Sequence, residues 1–359
     1  MCKSPLHSLL VALPKCEHHM HLEGSLSPEL LFRLAAKNSI SLPQSDPAFE
    51  SVESLYARYA AFTSLDDFLG YYYIGFSVLL TQSDFEELSY TYLSRAASSN
   101  VRHTEVFFDP QAHLSRGVAV STIIGGFQAA SQRAETELGI SSLLIPCLLR
   151  HLPVENSAAC FGEMLSANLF SSQGSGGVLA GLGLCSTEIA KPPSVWKDIF
   201  ALAEANGIRR TSHAGEEGPA EYVAKALDDL HAMRIDHGVH AADDEGLLEK
   251  LAVQKIMLTV CPVSNVRLRG VDDIKEVPIR RFLEKGVRFS LNSDDPAYFG
   301  AYIQEVYCQT EDAFGLSVDE WGMIARNAVE GSWCDDTRKG EILRDIGGVL
   351  GDWKKTTKD

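Results

Sequence analysis

Short apolar stretches alternate along the chain with longer segments in which hydrophobic residues recur every three or four positions. The short stretches have the length and β-branched character of buried strands, and the longer ones have the period of helices that bury one face. This alternation is typical of βα units around a parallel sheet. The predicted strands occupy residues 16–21, 101–108, 143–149, 178–184, 210–213, 235–237, 257–260 and 287–292.

Eight parallel strands are the number that closes a (β/α)8 TIM barrel, which we expect here in preference to an open, doubly wound sheet. Residues 27–100 are too many for one crossover helix and carry helical periodicity, so we expect extra helices inserted after the first strand. The only stretch of linker composition, residues 171–177, is short enough to be a loop. We therefore predict a single domain over residues 1–359, with the barrel core at about 15–335.

Composition and charge narrow the class of partner. The 359 residues are 45% hydrophobic and 22% charged, which is typical of a folded globular protein. Because 48 acidic residues outnumber 32 basic ones, the formal net charge is −16. A surface of this sign repels polyanions, so we expect neither nucleic acid nor an anionic membrane as a partner, and a small neutral or cationic molecule fits better.

The cysteines and the N-terminus predict a cytoplasmic protein. The eight cysteines are scattered without a CxxC pair, in a chain too long to need disulfide staples. The apolar run at residues 9–13 is too short for a signal sequence or a membrane span. We therefore expect reduced cysteines and a cytoplasmic location.

A polar run near the start of the chain, EHHMHLEG, is the first candidate for chemistry. Alternate side chains of a strand share a face, so His19 and His21 should point the same way, with His18 on the other side. A HxH pair at the end of a strand can hold a metal, although two hydrogen-bonded structural histidines fit the pattern equally well. We expect His18 to be a satisfied structural residue.

Three further polar clusters follow predicted strands, around His213, around Asp236 and His237, and around Asp294 and Asp295. Barrel enzymes carry their reacting groups at the C-terminal ends of the strands. Each cluster alone could be a core histidine, a turn or a helix N-terminus, but four clusters at four strand ends favour a common site. Three imidazoles and a carboxylate form a ligand set suited to zinc, and they leave a position for water. We assign as ligands His19, His21, His213 and Asp294.

Several long motifs extend this picture from about residue 15 to residue 327. They are PKCEHHMHLEGSL, EVFFDPQAH, SHAGEEGP, RIDHGV, LTVCPVSNVRL and LNSDDPAYFG. In this order they resemble the adenosine and adenine deaminase family of metal-dependent hydrolases. The stretches EVFFDPQAH and NSDDPAYFG are most similar to the adenine deaminase branch.

The resemblance implies a (β/α)8 barrel, one zinc ion per chain and a purine base as substrate. It matches the four ligand positions and implies that Glu216 is the proton donor, His237 the base and Asp295 the contact to purine N7. A zinc-bound water is acidic enough to attack at neutral pH. The implied reaction is hydrolytic deamination of adenine to hypoxanthine and ammonia, as in purine salvage.

Substrate choice depends on two places in the sequence. Glu23 stands where the nucleoside-specific relatives carry a shorter aspartate, so its extra methylene would occupy ribose space and its carboxylate could accept the N9–H of free adenine. Its alternative role is to cap the helix that begins near Pro28. The resemblance also places Gly183 and Ser186 at the purine edge, next to Cys185, where adenine deaminases usually have aspartate.

The departure at Cys185 leaves adenosine or an N6-substituted adenine open as the substrate. A catalytically inactive purine-binding protein is an alternative of another class, although the intact ligand, donor and base positions argue against it. A zinc amidohydrolase acting on a cyclic amide is a further alternative, but no lysine ends the predicted fourth strand. We assign no chemical role to Ser264 and Asn265.

Overall fold

The computed structural model describes residues 3–173 and 177–356, so the linker-like stretch 171–177 lies partly outside the described residues. Eight strands form one parallel sheet in chain order. They are β1 (Lys15–His21), β2 (Val101–Phe108), β3 (Ser141–Leu149), β4 (Gly181–Cys185), β5 (Arg209–Ala214), β6 (Arg234–His237), β7 (Met257–Val260) and β8 (Arg288–Leu291).

Helices surround this sheet and also precede, interrupt and follow it. The first group is α1 (His7–Ala12), α2 (Pro28–Asn38), α3 (Val52–Tyr59), α4 (Leu65–Phe76), α5 (Gln82–Ser98), α6 (Pro110–Leu114), α7 (Val120–Leu138) and α8 (Val154–Ser166). The second group is α9 (Lys197–Ala205), α10 (Ala220–Asp228), α11 (Glu245–Gln254), α12 (Pro262–Arg267), α13 (Ile279–Lys285), α14 (Pro296–Phe299), α15 (Ile303–Phe314), α16 (Val318–Gly331) and α17 (Asp336–Thr356). Among the described residues, no helix combines the length and apolar character that crossing a bilayer requires.

The chain that follows β8 closes the sheet on β1. The His21 N–H donates to the carbonyl of Asp294 at 2.9 Å, and the Asp294 N–H donates to the carbonyl of His19 at 3.0 Å. The predicted (β/α)8 barrel is therefore confirmed, and its closing hydrogen bonds lie beside the candidate metal ligands. The strand bounds agree with prediction within two residues except in β4, which begins at Gly181 instead of 178, because Leu179 makes only isolated bridges to Leu144 and Phe170.

Helices α2 to α5 lie between β1 and β2, which confirms the predicted insertion. Ser27 begins α2 by accepting the Leu30 N–H, with Pro28 in the first helical turn where a missing N–H costs nothing. Helix α4 packs its aromatic face over the barrel, where the Phe68 and Tyr72 rings contact the Tyr298 ring of α14 at 5.3 and 5.6 Å. The inserted helices therefore cover the end of the barrel at which the strands finish.

A buried ion pair fills the interior toward the other end of the barrel. Arg234, the first residue of β6, contacts Glu105 of β2 at 2.5 Å, and both side chains are almost fully buried. Glu105 also accepts the backbone N–H of Trp333, and the Trp333 ring lies 4.2 Å from the Arg234 guanidinium. Residues after α16 thus close the N-terminal end of the barrel, opposite the polar clusters.

Candidate active site

The predicted clusters meet in one cavity at the C-terminal ends of the strands. Its charged and imidazole lining comes from β1, β5, β6 and β8 or the residues just after them, namely His21, His213, Glu216, His237, Asp294 and Asp295. Helix α4 contributes Phe68, Tyr72 and Tyr73 as an aromatic roof, and the ends of β2 and β4 contribute Asp109, Cys185 and Ser186. The barrel topology therefore gathers distant segments of the sequence around one space.

The four candidate ligands converge on a single point. His19 Nε2 and His21 Nε2 lie 3.2 and 3.6 Å from Asp294 Oδ1. His21 Nε2 also lies 3.2 Å from His213 Nε2. Zinc–nitrogen bonds of about 2.0–2.1 Å place tetrahedral ligand atoms roughly 3.3 Å apart, so this spacing fits a metal of that size.

His237 also lies within range of the cluster. Ligand atoms of His19, His213, His237 and Asp294 all lie within 4.8 Å of one another. However, His237 Nε2 faces the second oxygen of Asp294, Oδ2, at 3.8 Å, and it lies closer to Glu216 Oε2, at 3.4 Å. The geometry therefore separates His19 and His21, which face Asp294 Oδ1, and His213, which lies beside His21, from a fourth imidazole that faces the cavity acid.

Hydrogen bonds behind the cluster fix the orientation of its histidines. Thr259 Oγ1 donates to Asp236 Oδ1 at 2.9 Å, so it accepts from His19 Nδ1, also at 2.9 Å. This tautomer leaves the lone pair of His19 Nε2 directed at the cluster. His213 Nδ1 lies 3.5 Å from Asp236 Oδ2. One buried carboxylate thus orients two candidate ligands, as outer carboxylates do in metal sites.

The segment that carries Asp294 is held by Glu17, the residue that had no role in the sequence analysis. Glu17 Oε1 accepts both the N–H of Ser293, at 2.9 Å, and its hydroxyl, at 2.6 Å. Glu17 Oε2 accepts from Tyr92 of α5 at 2.6 Å. Asp294 has a left-handed backbone, with φ of 63°, which a non-glycine residue adopts only where its surroundings enforce it.

The loop after β5 is shaped by Glu188. Its Oε2 accepts the N–H groups of Gly215 and Gly218 at 3.1 and 2.9 Å, and its Oε1 accepts the N–H of Glu216 at 3.2 Å. Arg150, also buried, donates to the carbonyl of His213. These contacts fix the backbone of Glu216, the candidate proton donor, relative to that of His213, the candidate ligand.

Burial sets the protonation of the groups that face the cavity. Burial, together with the negative charge of Asp294, raises the pKa of Glu216 well above its ordinary value. Burial likewise lowers the pKa of His237 well below its usual range. Glu216 therefore favours its protonated form and His237 its neutral form. This is the pairing that one proton donor and one proton acceptor require.

Asp295 reaches the cavity next to Asp294. Its Oδ1 is buried and has no hydrogen-bond partner, and burial beside the Asp294 charge raises its pKa. Gly24 makes this approach possible, because a Cβ there would lie 2.1 Å from Asp295 Oδ1. The structure therefore places Asp295 on the cavity wall, and its purine contact stays a prediction.

Glu23 is completely buried, and it does not cap the following helix. Its Oε1 accepts from His113 Nε2 at 2.6 Å and from the backbone N–H of Asp109 at 3.3 Å. Arg116 donates to His113 Nδ1 at 2.6 Å, so Nε2 is the protonated nitrogen of that ring. Because Ser27 caps α2, the helix-capping alternative for Glu23 is wrong. Glu23 Oε2 has no hydrogen-bond partner.

The predicted purine loop divides into two parts. Ser186 lines the cavity with a left-handed backbone, φ 75°, and its Oγ lies 2.8 Å from His151 Nδ1. Gly183 is not brought to the cavity. It lies in the middle of β4, where a Cβ would meet Cys147 Sγ at 2.4 Å, so its lack of a side chain serves strand packing. Cys185 lines the cavity and donates weakly to Asp109 Oδ1, at 3.6 Å.

His18 shows why alternation alone is an incomplete guide in this strand. A bulge between Glu17 and Met20 interrupts the register of β1 with β2. The two ring nitrogens of His18 lie 3.2 Å from Ser290 Oγ of β8 and 2.6 Å from Ser332 Oγ after α16. The prediction of a satisfied structural histidine is confirmed, with one partner on the neighbouring strand and the other after α16.

The sequence analysis assigned no role to several residues that shape the site, namely Glu17, Asp109, Arg150, Glu188 and Asp236, although Asp236 belongs to one of the strand-end clusters that it singled out. Asp236, Glu188 and Arg150 act through contacts that only the folded chain creates. Asp109 is different, because it directly follows β2, and the rule that singled out the other clusters at strand ends would have found it.

Comparisons with known proteins decide the family. The family model described as adenosine deaminase matches residues 14–349. An adenine deaminase of Gibberella zeae is 53% identical over 354 residues, which cover 99% of both chains. The chain belongs to the adenosine deaminase family. This assignment confirms the resemblance found in the motifs.

Other family relatives extend the similarity to distant fungi and to bacteria. An adenine deaminase of Saccharomyces cerevisiae is 46% identical over 344 residues, 95% of this chain and 97% of its own. The crystal structure of adenine deaminase from Arthrobacter aurescens has a TM-score of 0.88 at 40% identity and covers 96% of this chain and 99% of that one. A Burkholderia ambifaria amidohydrolase solved with bound zinc has a TM-score of 0.86 at 25% identity and covers 100% and 98%.

Proposed function

We propose that this protein hydrolyses adenine to hypoxanthine and ammonia. The observation that carries the proposal is the cluster of His19 and His21 against Asp294 Oδ1 with His213 beside His21, while Glu216 and His237 lie 3.4 Å apart in the same cavity. The similarity to adenine deaminases over nearly the whole chain supports the same reaction.

The proposed ligands of one zinc ion per chain are His19, His21, His213 and Asp294. The donor set is nitrogen and oxygen, its spacing fits tetrahedral zinc, and the buried Nε2 of His19 has no hydrogen-bond partner. His237 is left out of this set because its Nε2 faces Glu216 and the other oxygen of Asp294. When bound, zinc would lower the pKa of a coordinated water to about 7 and so supply a nucleophile at neutral pH.

The residues around the cluster then have distinct tasks. Glu216 holds a proton that it can give to purine N1, which makes C6 more electrophilic. His237 lies next to Glu216 and Asp294, where it can orient the attacking water and accept its proton. Asp295, whose Oδ1 lacks a partner, binds N7 and so fixes C6 against the ligand cluster.

Glu23 selects the free base. Its Oε1 is held by His113 and the Asp109 N–H, which leaves Oε2 as a buried acceptor without a donor. The N9–H of adenine is such a donor, whereas a nucleoside has a glycosidic bond at N9. A buried group left unpaired costs about 1–3 kcal/mol, so the site should reject nucleosides strongly. Ser186, which lines the cavity just after β4, is the remaining proposed substrate contact.

A substrate panel tests this proposal directly. Adenine, adenosine, AMP and N6-methyladenine are compared by loss of absorbance and release of ammonia, with zinc measured in the same preparation. We expect adenine to have a kcat/KM at least a hundredfold above that of adenosine. Comparable values for the two would contradict the role of Glu23, and preference for N6-methyladenine would reassign the substrate. Absence of turnover with every purine at full zinc content would favour a binding protein.

A further inference from the structure

A chain of hydrogen bonds connects Glu23 to a second cavity, outside the candidate active site. Arg116 Nη2 donates to His113 Nδ1 at 2.6 Å, and His113 Nε2 donates to Glu23 Oε1, also at 2.6 Å. Glu23 and His113 are completely buried, whereas Arg116 is half-buried and lines a separate cavity of about 600 Å³. Tyr73 lines both cavities, so the two spaces are neighbours.

The packing around His113 holds its ring in the plane that this chain requires. The ring stacks on Phe76 of α4, with centroids 4.7 Å apart and an angle of 14° between the planes. It also meets the Phe85 ring of α5 edge-on, at 5.1 Å. Arginine has donors and no acceptor, so His113 Nδ1 must accept and Nε2 must carry the proton. His113 therefore passes the Arg116 contact on to Glu23 as one oriented N–H.

We infer that Arg116 and His113 are positioning residues, which hold the Glu23 carboxylate in the orientation that accepts N9–H and so set the selectivity for a base unsubstituted at N9. The inference rests on the proposed function, which supplies the N9–H contact. His113 Nε2 and the Asp109 N–H, at 3.3 Å, both donate to Glu23 Oε1, and Oε2 is left for the substrate. Arg116 and His113 act through Glu23 and not by touching the base.

The Arg116 contact determines which nitrogen of His113 carries the proton. A neutral imidazole has one N–H, and the hydrogen bond made by one nitrogen sets the state of the other. Without Arg116 the proton can move to Nδ1. The Nε2 lone pair would then face Glu23 Oε1 at the present 2.6 Å, which places two acceptors in contact. The carboxylate would turn away, and the N9–H acceptor would lose its place.

Arg116 also has a structural role that the test must separate from this one. Its Nε donates to the Ala112 carbonyl near the end of α6, and its Nη2 donates to the Leu79 carbonyl after α4, both at 3.3 Å. Ser115, which lines the same second cavity, shares the first contact, because its Oγ donates to the Ala112 carbonyl at 3.0 Å. Ser115→Ala is therefore the matched control, since it removes a helix-end contact and leaves the bond to His113 in place.

The test compares hypoxanthine with 9-methylhypoxanthine, in which a methyl group replaces the N9 hydrogen. Dissociation constants are measured by calorimetry on the zinc-loaded full chain, so the result does not depend on turnover. We expect the wild type and Ser115→Ala to bind hypoxanthine at least about tenfold more tightly than the methyl compound, because the latter leaves Glu23 Oε2 unpaired. Arg116→Ala should lower this ratio to about twofold.

Chemical rescue uses the second cavity as the route to the missing group. Guanidinium chloride at a concentration that leaves the wild type folded should raise the ratio in Arg116→Ala, because guanidinium can donate to His113 Nδ1 from the space that Arg116 occupied. Sodium chloride of equal ionic strength should not. No recovery with guanidinium, or equal recovery with both salts, would contradict a specific donor at Nδ1.

His113 supplies a second pair of variants. His113→Phe keeps a flat ring between Phe76 and Phe85 but has no N–H, so the ratio should fall as it does in Arg116→Ala. His113→Gln can still present an N–H to Glu23 and should keep a higher ratio than His113→Phe. Thermal melting and zinc content establish that each variant is folded, and the His113 pair decides the question if Arg116→Ala does not fold.

An unchanged ratio in Arg116→Ala or in His113→Phe would overturn the inference. Equal weakening of both ligands would do so too, because that is the result of a purely structural role. Equal binding of the two ligands by the wild type would reject the N9–H contact of Glu23 and the inference with it. Absence of adenine turnover, with the ratios as expected, would reject the proposed reaction and support the positioning role.

Discussion

Buried carboxylates in the barrel interior and at its mouth differ in how completely their oxygens are bonded. In the interior, both oxygens of Glu105 and of Asp236 accept hydrogen bonds. Glu105 accepts from Arg234, from His103 and from the backbone N–H of Trp333. Asp236 accepts from the hydroxyl groups of Thr211 and Thr259. At the mouth, Glu23 and Asp295 each have one buried oxygen without a partner. An unpaired buried polar group costs about 1–3 kcal/mol, so a ligand partner is the expected compensation. For Glu23 that partner is a donor, the proposed N9–H, and for Asp295, whose raised pKa favours a carboxyl O–H, it is an acceptor, the proposed N7.

The pKa shifts of carboxyl groups also differ between the barrel interior and its mouth. Burial alone would raise the pKa of Glu105, but the Arg234 guanidinium and the His103 hydrogen bond lower it below its usual range. At the mouth, burial and neighbouring negative charges act together, and they raise the pKa of Glu216 and Asp295. Glu105 in the interior is therefore charged and structural, whereas Glu216 and Asp295 at the mouth favour their protonated forms. Variants at the two places should separate stability from activity.

The largest effect is expected from removing two proposed ligands at the mouth. The double variant His19→Ala with His213→Ala should lower zinc from about one ion per chain to less than a tenth and reduce adenine turnover below detection. Elemental analysis and the ammonia assay measure both. His231→Ala, at an exposed histidine paired with Glu204, is the control and should retain metal and activity. Wild-type zinc content in the double variant would remove the proposed ligand set.

Glu216→Gln should separate chemistry from metal binding. The amide cannot supply the proton to N1, so kcat/KM should fall by about 10²–10⁴-fold while zinc content stays at the wild-type level. Because Glu216 favours its neutral form, the amide changes the local charge little, and the melting temperature should stay close to that of the wild type. Glu217→Gln is the matched control at the next position, whose Oε2 accepts the Glu188 N–H. It should lose less than tenfold, and equal losses in both variants would indicate a general effect of the loop.

The interior should show the opposite result. Arg234→Met leaves Glu105 buried without its cation, and breaking such a pair costs about 3–5 kcal/mol of unfolding free energy. Urea denaturation measures this loss, and adding Glu105→Gln should recover part of it. At a temperature where the variant is folded, kcat/KM for adenine should remain within threefold of wild type. A large loss of activity without loss of stability would show that the two regions are not separable in this way.

The hydrophobic pattern predicted the eight strands because the period of each strand and helix is a local property. Strict alternation correctly paired His19 with His21, but the bulge between Glu17 and Met20 is a tertiary adjustment that the pattern does not contain. The role of Glu188 was equally out of reach, because its three N–H donors lie 27 to 30 positions away in the chain. The left-handed backbones of His237 and Asp294 likewise depend on contacts between strand ends that form only in the folded barrel.

Other parts of the site could have been read from the sequence. Asp109 follows a strand in the same manner as Asp294, so the strand-end rule applies to it. The Ser27-Pro28 pair is a helix-start signal, with a capping side chain followed by proline in the first turn. That signal already assigns the cap of α2 to Ser27 and leaves the Glu23 carboxylate for another role.

The smallest expected effect tests this assignment of the cap. Ser27→Ala should lower the unfolding free energy by about 1 kcal/mol, because the Leu30 N–H loses its acceptor. The ratio of kcat/KM for adenine to that for adenosine should not change, since Ser27 has no part in the cavity. Glu23→Asp should do the reverse, lowering the ratio at least tenfold with the α2 cap intact. If Ser27→Ala also changed this ratio, the helix cap and the substrate selectivity would be coupled through the short turn between Glu23 and Ser27. The division between structural and ligand-binding groups would then fail where the two kinds of group lie closest in sequence.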